Sequence, residues 1–511
     1  MGRMQKTTSN LYVSVHYDTF WKKWDRCRDI FAGSDCVKEL DEKYLPKSRW
    51  HRNGGADGKQ DYEDYKARAI FFSYLKDAIE TSLGVLKKGE PTIKLPPQIA
   101  FMEKSASVYH DGLVELKGKL DATIMLTGCA GLSLEVNSQG NGNTERPDFF
   151  INLWQPESIK DKNFEHDELT GESYATLVLL DESEMRFDKK TKLRVPEAKW
   201  RIMGLDSEKR YYTALIRPEQ YADFDLENPP VAADQSDPQM GEAVYPMYHG
   251  DMFNRIPFTF VNATDLSGGH YEDPPLYDLV DLVIALYRGD ADYRQTLHFT
   301  ASDFYKHTGC NDPNKQRKLS VGAGGILHLG MDEDIAVVSS PGGGANLQKE
   351  ALLSLHGQCQ QRIMTLLNVG ANQSGAALEI MQNSKSARIE PINQNTANAI
   401  EEQLRYAAEW TGMSREQAHQ EVMFKASKIE DTSLVISQLQ SLWHAIVAEN
   451  YPLTRRDFHT LQRKANITQN DFEQNNEELE IERAEQEAEG IRRGGYLPGE
   501  EEAQKQGESG E

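Results

Sequence analysis

Two apolar stripes at helical spacing, separated by a β-rich insert, define the segment from Tyr271 to about Asn395. Each stripe predicts a helix of about 24 residues, which is roughly 36 Å long. The sequence therefore predicts a pair of rods that carries the insert at its tip. The first stripe consists of Leu276, Leu279, Val280, Val283, Leu286 and Tyr287, and the second of Leu352, Leu355, Cys359, Ile363, Leu366 and Leu367.

The insert combines short β patterns with a basic cluster. Gly322 to Leu329 and Ile335 to Val338 have the apolar composition of strands. The cluster comprises Lys315, Arg317 and Lys318, and it lies at the predicted tip of the rods. Runs of charge usually form a solvated face. Contact with an acidic partner or with passing DNA is the functional alternative, because the rest of the chain is acidic.

A polar stretch rich in small residues follows the second predicted helix. Asn372 to Glu379 is composed mainly of Asn, Gln, Ser, Gly and Ala, which predicts a mobile loop reaching to about Pro391. A third helix is predicted from about Asn395. Lys385 and Arg388 lie within one helical turn of each other, so both can face the same side.

This order of features resembles the portal proteins of tailed bacteriophages, in particular a subgroup long catalogued only as a domain of unknown function. The resemblance covers most of residues 10 to 480. The stretches that carry it are Pro274-Pro275-Leu276-Tyr277-Asp278-Leu279, Leu319-Ser320-Val321-Gly322, Ser374-Gly375-Ala376-Ala377-Leu378-Glu379, Tyr44-Leu45-Pro46-Lys47 and Arg255-Ile256-Pro257-Phe258-Thr259-Phe260-Val261-Asn262.

The resemblance implies an α+β fold with a wing, a helical stem, a small α/β clip, a tunnel loop and a helical crown. It also divides the chain. The implied parts are an N-terminal helical lead-in and loop (1–60), an α+β wing (61–274), a first stem helix (275–300), a clip (301–341), a second stem helix (342–370), a tunnel loop (371–394), wing and crown helices (395–475) and an acidic tail (476–511) whose end is expected to be disordered.

The function implied by the resemblance is that of a ring of twelve subunits at one capsid vertex of the virion, made in the host cytoplasm. Such a ring conducts double-stranded DNA during packaging and ejection. Its implied partners are the major capsid protein, the terminase large subunit and a head–tail connector. ATP hydrolysis would belong to terminase, so no cofactor is expected. Lys385 and Arg388 would make transient phosphate contacts inside the tunnel.

The charge balance fits a channel better than a static DNA-binding protein. The chain has 80 acidic and 57 basic residues, and its net charge is −23. Each phosphate that a basic side chain neutralises adds affinity, and strong affinity would stall a sliding duplex. An acidic wall with few basic contacts is the expected design.

Motifs that would indicate an enzyme or a metal site are missing from the sequence. It contains no GxxxxGK[ST], no HExxH, no GxSxG and no paired Cys/His cluster. Met331-Asp332-Glu333-Asp334 offers carboxylates to a cation, although a solvated acidic turn is the default interpretation. We predict no enzymatic activity. Two alternatives stay open: another connector or scaffold ring component of the virion, and a nucleic-acid-processing enzyme.

The remaining expectations concern cysteines, membranes and local structure. Five scattered cysteines predict a reduced protein with free thiols, and no apolar run is long enough to span a membrane. Asp61 to Lys88 is predicted as a single helix, and Trp200 to Ile216 as a hairpin. The aromatic residues of the lead-in, among them Trp21 and Trp24, are expected to pack on a neighbouring element, with stacking on nucleic acid as the alternative.

Overall fold

The structure is a computed structural model that describes twelve stretches of the chain. They are residues 17–87, 89–136, 149–166, 173–187, 192–234, 238–248, 251–266, 269–300, 304–308, 334–338, 343–367 and 375–427. The chain divides into two units, Met1–Ile429 and Glu430–Glu511, and every described residue belongs to the first. The predicted helices beyond residue 427 and the acidic tail lie outside the described residues.

Helices form the parts of the described unit before and after a strand-rich stretch. In chain order they are α1 Tyr17–Ala32, α2 Ser34–Glu39, α3 Arg49–Asn53, α4 Gly55–Arg68, α5 Tyr74–Leu86, α6 Leu113–Thr127, α7 Tyr277–Thr300, α8 Gly343–Leu367, α9 Gly375–Trp410 and α10 Arg415–Glu421. No described helix is long and apolar enough to cross a membrane.

Strands occupy mainly the stretch between α6 and α7. They are β1 Thr92–Lys94, β2 Cys129–Val136, β3 Phe149–Trp154, β4 Ile159–His166, β5 Ser173–Asp181, β6 Glu184–Phe187, β7 Arg194–Glu197, β8 Trp200–Leu205, β9 Tyr211–Ile216, β10 Ala243–Val244, β11 Met247–Tyr248, β12 Asp251–Met252, β13 Phe258–Asn262, β14 Phe304–Thr308, β15 Asp334–Val338 and β16 Met423–Lys425.

The strands pair antiparallel in sheets of two, three and five members. The five-stranded sheet has the order β10-β9-β8-β5-β4, and the three-stranded sheet has the order β13-β2-β3. Two-stranded pairs are β1 with β16, β6 with β7, β11 with β12 and β14 with β15. The predicted hairpin is confirmed, because β8 and β9 pair from Trp200↔Ile216 to Leu205↔Tyr211. The chain thus mixes helices with antiparallel sheets, in keeping with the α+β class.

The main core includes α6 and the three-stranded sheet that follows it in the chain. Leu120 and Ile124 of α6 are fully buried, as are Leu132 and Leu134 of β2. Gly128 joins the two elements with a φ of 84°, and a Cβ there would lie 2.9 Å from the Glu272 and Asp273 carbonyl oxygens. Only glycine therefore allows the loop that precedes α7 to approach so closely.

The lead-in helix α1 belongs to this core. Trp24 is fully buried, and its indole Nε1 donates a hydrogen bond of 2.9 Å to the Thr127 carbonyl. Its ring meets that of Tyr271 edge-on, with centroids 5.4 Å apart. Packing on a neighbour was the expected arrangement for the aromatic face of this helix, and it is confirmed. The alternative of stacking on nucleic acid is wrong for Trp24, since a fully buried ring offers no face to a base.

A long acidic segment covers the second face of the five-stranded sheet. Inward-facing Leu179, Ile202 and Tyr212 form a small separate core. Residues 218–226, which begin as a 3₁₀ turn at Pro218–Asp223, pack Tyr221, Phe224 and Leu226 onto it. Residues 222–249 are rich in Asp and Pro and show little periodicity, which predicts an exposed excursion or a partner-binding arm. The part up to Leu226 instead contributes apolar side chains to the sheet.

Two predicted boundaries are wrong. Residues 61–88 form two helices, α4 and α5, because the chain is extended at Ala69 and the Ile70 N–H donates to Asp290 of α7 rather than to a helical carbonyl. The tunnel loop predicted at 371–394 has helical backbone from Gly375 onward, and α9 therefore starts well before Asn395. Its Ala, Gln, Glu, Met and Leu residues have high helix propensity, which outweighs the few Gly and Ser residues.

Candidate functional site

Helices α7 and α8 form an antiparallel pair joined through β14 and β15. They have 24 and 25 residues. Gly289 of α7 lies against Leu352 of α8, where a Cβ would be 3.1 Å from the leucine Cδ2. Nearer the start of α7, Asp278 faces Arg362 of α8 at 3.7 Å. The strands pair from Phe304↔Val338 to Thr308↔Asp334 at the far end of both helices. The predicted order of helix, β-rich insert and helix is confirmed for the described residues, and the predicted strand at 335–338 lies in β15. Strand β14 was not predicted, and the predicted strand at 322–329 lies outside the described residues.

Polar contacts fix the middle of α7 to the N-terminal helices. The buried Asp290 carboxylate accepts from the Ile70 N–H and from Arg294 Nε, both at 2.7 Å. Tyr65 of α4 donates to Asp292 at 2.6 Å. The two bonds to Asp290 satisfy a carboxylate that would otherwise be costly to bury. They anchor one half of α7 in the core.

Helix α8 is held by aromatic residues of and before α5. His356 Nδ1 and the Tyr74 hydroxyl are 2.8 Å apart, and the imidazole meets the Phe72 ring edge-on at 4.7 Å between centroids. Cys359 is fully buried one turn further on, and burial raises the pKa of its thiol. The C-terminal part of α8 is therefore anchored to the body of the unit.

The half of the helix pair that leads to β14 and β15 exposes large apolar side chains. Leu347 is 69% exposed and Leu353 is 60% exposed, while their neighbour Leu352 is buried. Leu297 and Phe299 are exposed at the end of α7. Large apolar side chains left exposed on a helix pair are candidates for contact with another molecule. We call this set of four residues the distal apolar patch.

The residues predicted to contact DNA fall in two places. Positions 385 and 388 lie in the helical backbone of α9, three residues apart, and therefore on the same side of that helix. Lys315, Arg317 and Lys318 lie outside the described residues. So do most of the predicted clip and, except for Asp334, the acidic turn at 331–334. The roles of all five basic residues stay predictions.

One group of potential metal ligands was not anticipated from the sequence. Ligand atoms of Asp265, His270 and Glu272 lie within 4.8 Å of one another. The Glu272 carboxylate already accepts from the Thr264 hydroxyl and, at 3.1 Å, from the Thr264 N–H. These bonds stabilise the loop without an ion. The spacing of the three residues matches no metal motif, so only the folded loop brings them together.

Comparisons with known proteins give one match by sequence. Residues 275–411 match the family described as Domain of unknown function (DUF4055). That span runs from α7 to the end of α9, so it contains the helix pair, the strands between them and positions 385 and 388. No curated protein matches the sequence.

Similar solved structures come from gene transfer agent particles. A chain described as "Virion of native gene transfer agent (GTA) particle" is 9% identical, with a TM-score of 0.37, and the match covers 76% of this chain and 89% of that one. Another, "Neck of native GTA particle computed with C12 symmetry", is 10% identical, with a TM-score of 0.36 and coverage of 76% and 89%. TM-scores below 0.5 do not establish a common fold.

Proposed function

We propose that this chain is a subunit of a phage portal, a ring at one capsid vertex through which double-stranded DNA enters and leaves. The observation that carries the proposal is the helix pair α7–α8. It is anchored in the body at one end, bears a two-stranded sheet at the other and exposes the distal apolar patch between them. The sequence resemblance of the same segment to portal stems supports it.

Burial explains why such a helix pair favours a ring. A single chain in water leaves Leu297, Phe299, Leu347 and Leu353 exposed. Full burial of an exposed side chain of this size contributes about 1.5–3 kcal/mol, and these partly covered side chains would contribute a fraction of that. Contacts between different surfaces of identical subunits repeat, and they close into a ring when the rotation allows it. In the proposed ring, neighbouring helix pairs cover one another's distal apolar patches. The portal resemblance implies twelve subunits.

The charge distribution supports passage of DNA rather than its storage. With a net charge of −23 per subunit, an assembled ring carries a large negative charge that repels phosphate. Basic residues at a few positions would then guide the duplex without trapping it. Positions 385 and 388 on α9 are our candidates for the tunnel, and Lys315, Arg317 and Lys318 are candidates for contact with DNA or with an acidic partner. Terminase, the major capsid protein and a head–tail connector are the proposed partners.

Negative-stain imaging of the purified chain, together with mass photometry, tests the proposal. We expect rings with a central hole and a mass of about twelve chains, as closed cyclic assemblies give a single discrete mass. A well-folded chain that stays monomeric at high concentration and at several salt concentrations would contradict a ring. A nuclease assay with and without Mg²⁺ separates the portal from an enzyme, because the portal leaves DNA intact under both conditions.

A further inference from the structure

A β-ribbon next to the five-stranded sheet carries exposed apolar groups and positive charges that have no ion-pair partner among the described residues. It consists of β6 and β7, inserted between β5 and β8, and forms a two-stranded sheet of its own. Met185, Leu193 and Val195 are exposed, with Leu193 at 65%. An isolated two-stranded ribbon gains little stability from its own contacts, so exposed apolar residues on it indicate a surface that is covered by a partner.

The base of the ribbon is fixed to the sheet. The Glu182 N–H donates to the Lys199 carbonyl at 2.9 Å, and the Lys199 N–H donates to the Ser183 hydroxyl at 3.2 Å. Lys199 Nζ also pairs with Glu184 at 2.8 Å. These bonds close the ribbon where it leaves β5 and enters β8. Its direction is therefore set before any partner binds, which lowers the entropic cost of docking.

Charged residues beyond this base differ in how they are paired. Arg186 reaches Glu197 at 3.5 Å across the ribbon. Lys192 and Arg194 are exposed and form no ion pair with any other described residue. In a chain with a net charge of −23, two free cations beside exposed apolar side chains favour an acidic protein surface as the partner. Pro196 in β7 has no N–H to offer a further strand, so side chains rather than strand addition make the contact.

The chain itself presents a surface with the complementary charge. From Pro218 to Glu242 it has seven acidic residues and no Lys or Arg. The start of this segment turns its apolar side chains onto the sheet, as described above, and leaves Glu219, Asp223 and Glu227 exposed. None of these three carboxylates forms an ion pair within the described part of the chain. We call the three residues the acidic face.

From these features we infer that the β6–β7 ribbon docks on the acidic face of a second copy of this chain, with Lys192 and Arg194 opposite Glu219, Asp223 and Glu227. The contact joins two different surfaces and therefore repeats from copy to copy. It rests on the proposed ring, to which it adds a subunit contact separate from the helix pair. Met185 pairs with Pro196 and therefore lies on the same face of the ribbon as Arg194, where it supplies apolar area beside the charges.

Charge reversal tests the contact on the full chain. The ribbon variant is K192E/R194E, the acidic-face variant is E219K/D223K/E227K, and the combined variant carries all five changes. The matched control is K59E/K104E, which reverses two exposed lysines elsewhere and gives the same net charge as the ribbon variant, −23 − 4 = −27. Circular dichroism and thermal melting verify that each variant is folded, and sedimentation over a concentration series measures self-association.

We expect the ribbon and acidic-face variants each to associate about tenfold more weakly than the parent or worse, since like charges then face each other at the contact. The control should behave like the parent. The combined variant should regain association, and the two single-surface variants should bind each other when mixed. M185S should weaken association with no change in charge, because Met185 is exposed on the same face as Arg194.

Three results would overturn the inference. One is a ribbon variant that assembles like the parent, which leaves the proposed ring intact. Another is failure of both the combined variant and the mixture to restore association. The third is a ribbon variant that loses binding to a short DNA duplex yet still self-associates, which would assign the ribbon to nucleic acid. A parent chain that never associates overturns the ribbon contact and the proposed ring together.

Discussion

Lys162 places its ammonium group between two aromatic rings. Its Nζ lies 4.0 Å from the Phe260 ring centroid and 3.3 Å from that of Tyr271. Burial lowers the pKa of Lys162 to about 7, with Cys129 and Asp161 acting in the opposite direction. The unfolded chain therefore binds one more proton than the folded chain between about pH 7 and the ordinary lysine pKa. Folding stability should rise with pH across that window.

The test is substitution of Lys162 by Met, which keeps the length of the side chain and removes the titration. The free energy of unfolding of the parent should increase by at most about 1.4 kcal/mol per pH unit more than that of K162M between pH 7 and 10. Denaturant titrations at four pH values measure the two slopes. Parallel pH dependence of parent and variant would mean that Lys162 does not titrate in this range.

Trp24 and Trp50 provide a matched pair of tryptophans. Trp24 is fully buried and bonded to the Thr127 carbonyl, whereas Trp50 is 57% exposed. Trp24→Ala should lower the free energy of unfolding by about 3–5 kcal/mol through the cavity it leaves. Trp50→Ala should change it by about 0.5 kcal/mol or less. Chemical denaturation measures both, and equal losses would contradict the assignment of α1 to the core.

At the scale of elements, substitutions at Leu352 and Leu353 of α8 should affect folding stability and ring formation separately. The two leucines are neighbours in α8, where Leu352 is buried against Gly289 of α7 and Leu353 is 60% exposed. Leu352→Ala should cost about 2–5 kcal/mol of folding stability. Leu353→Ala should leave the melting temperature of the isolated chain nearly unchanged and weaken ring formation, because its side chain belongs to the distal apolar patch. A Leu353→Ala chain that forms rings at the parental concentration would remove that residue from the subunit contact.

Helical elements with a strong apolar stripe were predictable from the sequence, whereas their interruptions were not. The stripes of α7 and α8 follow from local spacing. The break between α4 and α5 depends on Asp290, more than two hundred residues away, which takes the Ile70 N–H. Local patterns carry no information about such a partner. The backbone at 375–394 is helical and not the predicted loop, because the helix propensity of its Ala, Glu, Met and Leu residues outweighs its polar composition.

Candidate contact surfaces could be predicted from the sequence even less well than the helices. The apolar residues Leu347 and Leu353 look like members of any amphipathic helix until their exposure is known. Lys192 and Arg194 lie among other charges in the sequence, and only the pairing of β7, which begins at Arg194, with β6 shows that this stretch forms a separate ribbon. Asp265, His270 and Glu272 meet only through a folded loop. In each case the decisive fact is three-dimensional.

For the whole assembly, positions 385 and 388 give the sharpest prediction. Rings carrying Lys385→Ala and Arg388→Ala should form normally and package or retain less DNA than the parent. Because these contacts would be to phosphates only, DNA affinity should fall without sequence preference, and its dependence on salt should become shallower. A Lys59→Ala ring is the control. Packaging and retention equal to those of the parent would exclude these residues from the tunnel.

Pro391 gives the longest described helix a built-in pivot. Helix α9 has 36 residues, and proline at position 391 cannot donate to the carbonyl of residue 387. Beyond it the helix is clamped to the body by buried Asn393, Thr396 and Gln403. Bending at the proline therefore sacrifices fewer backbone bonds than bending elsewhere. In the proposed ring, every subunit would bend at the same position along the ring axis. The part of α9 before Pro391 could then move and change the width of the channel, while the part after Pro391 stays fixed to the body.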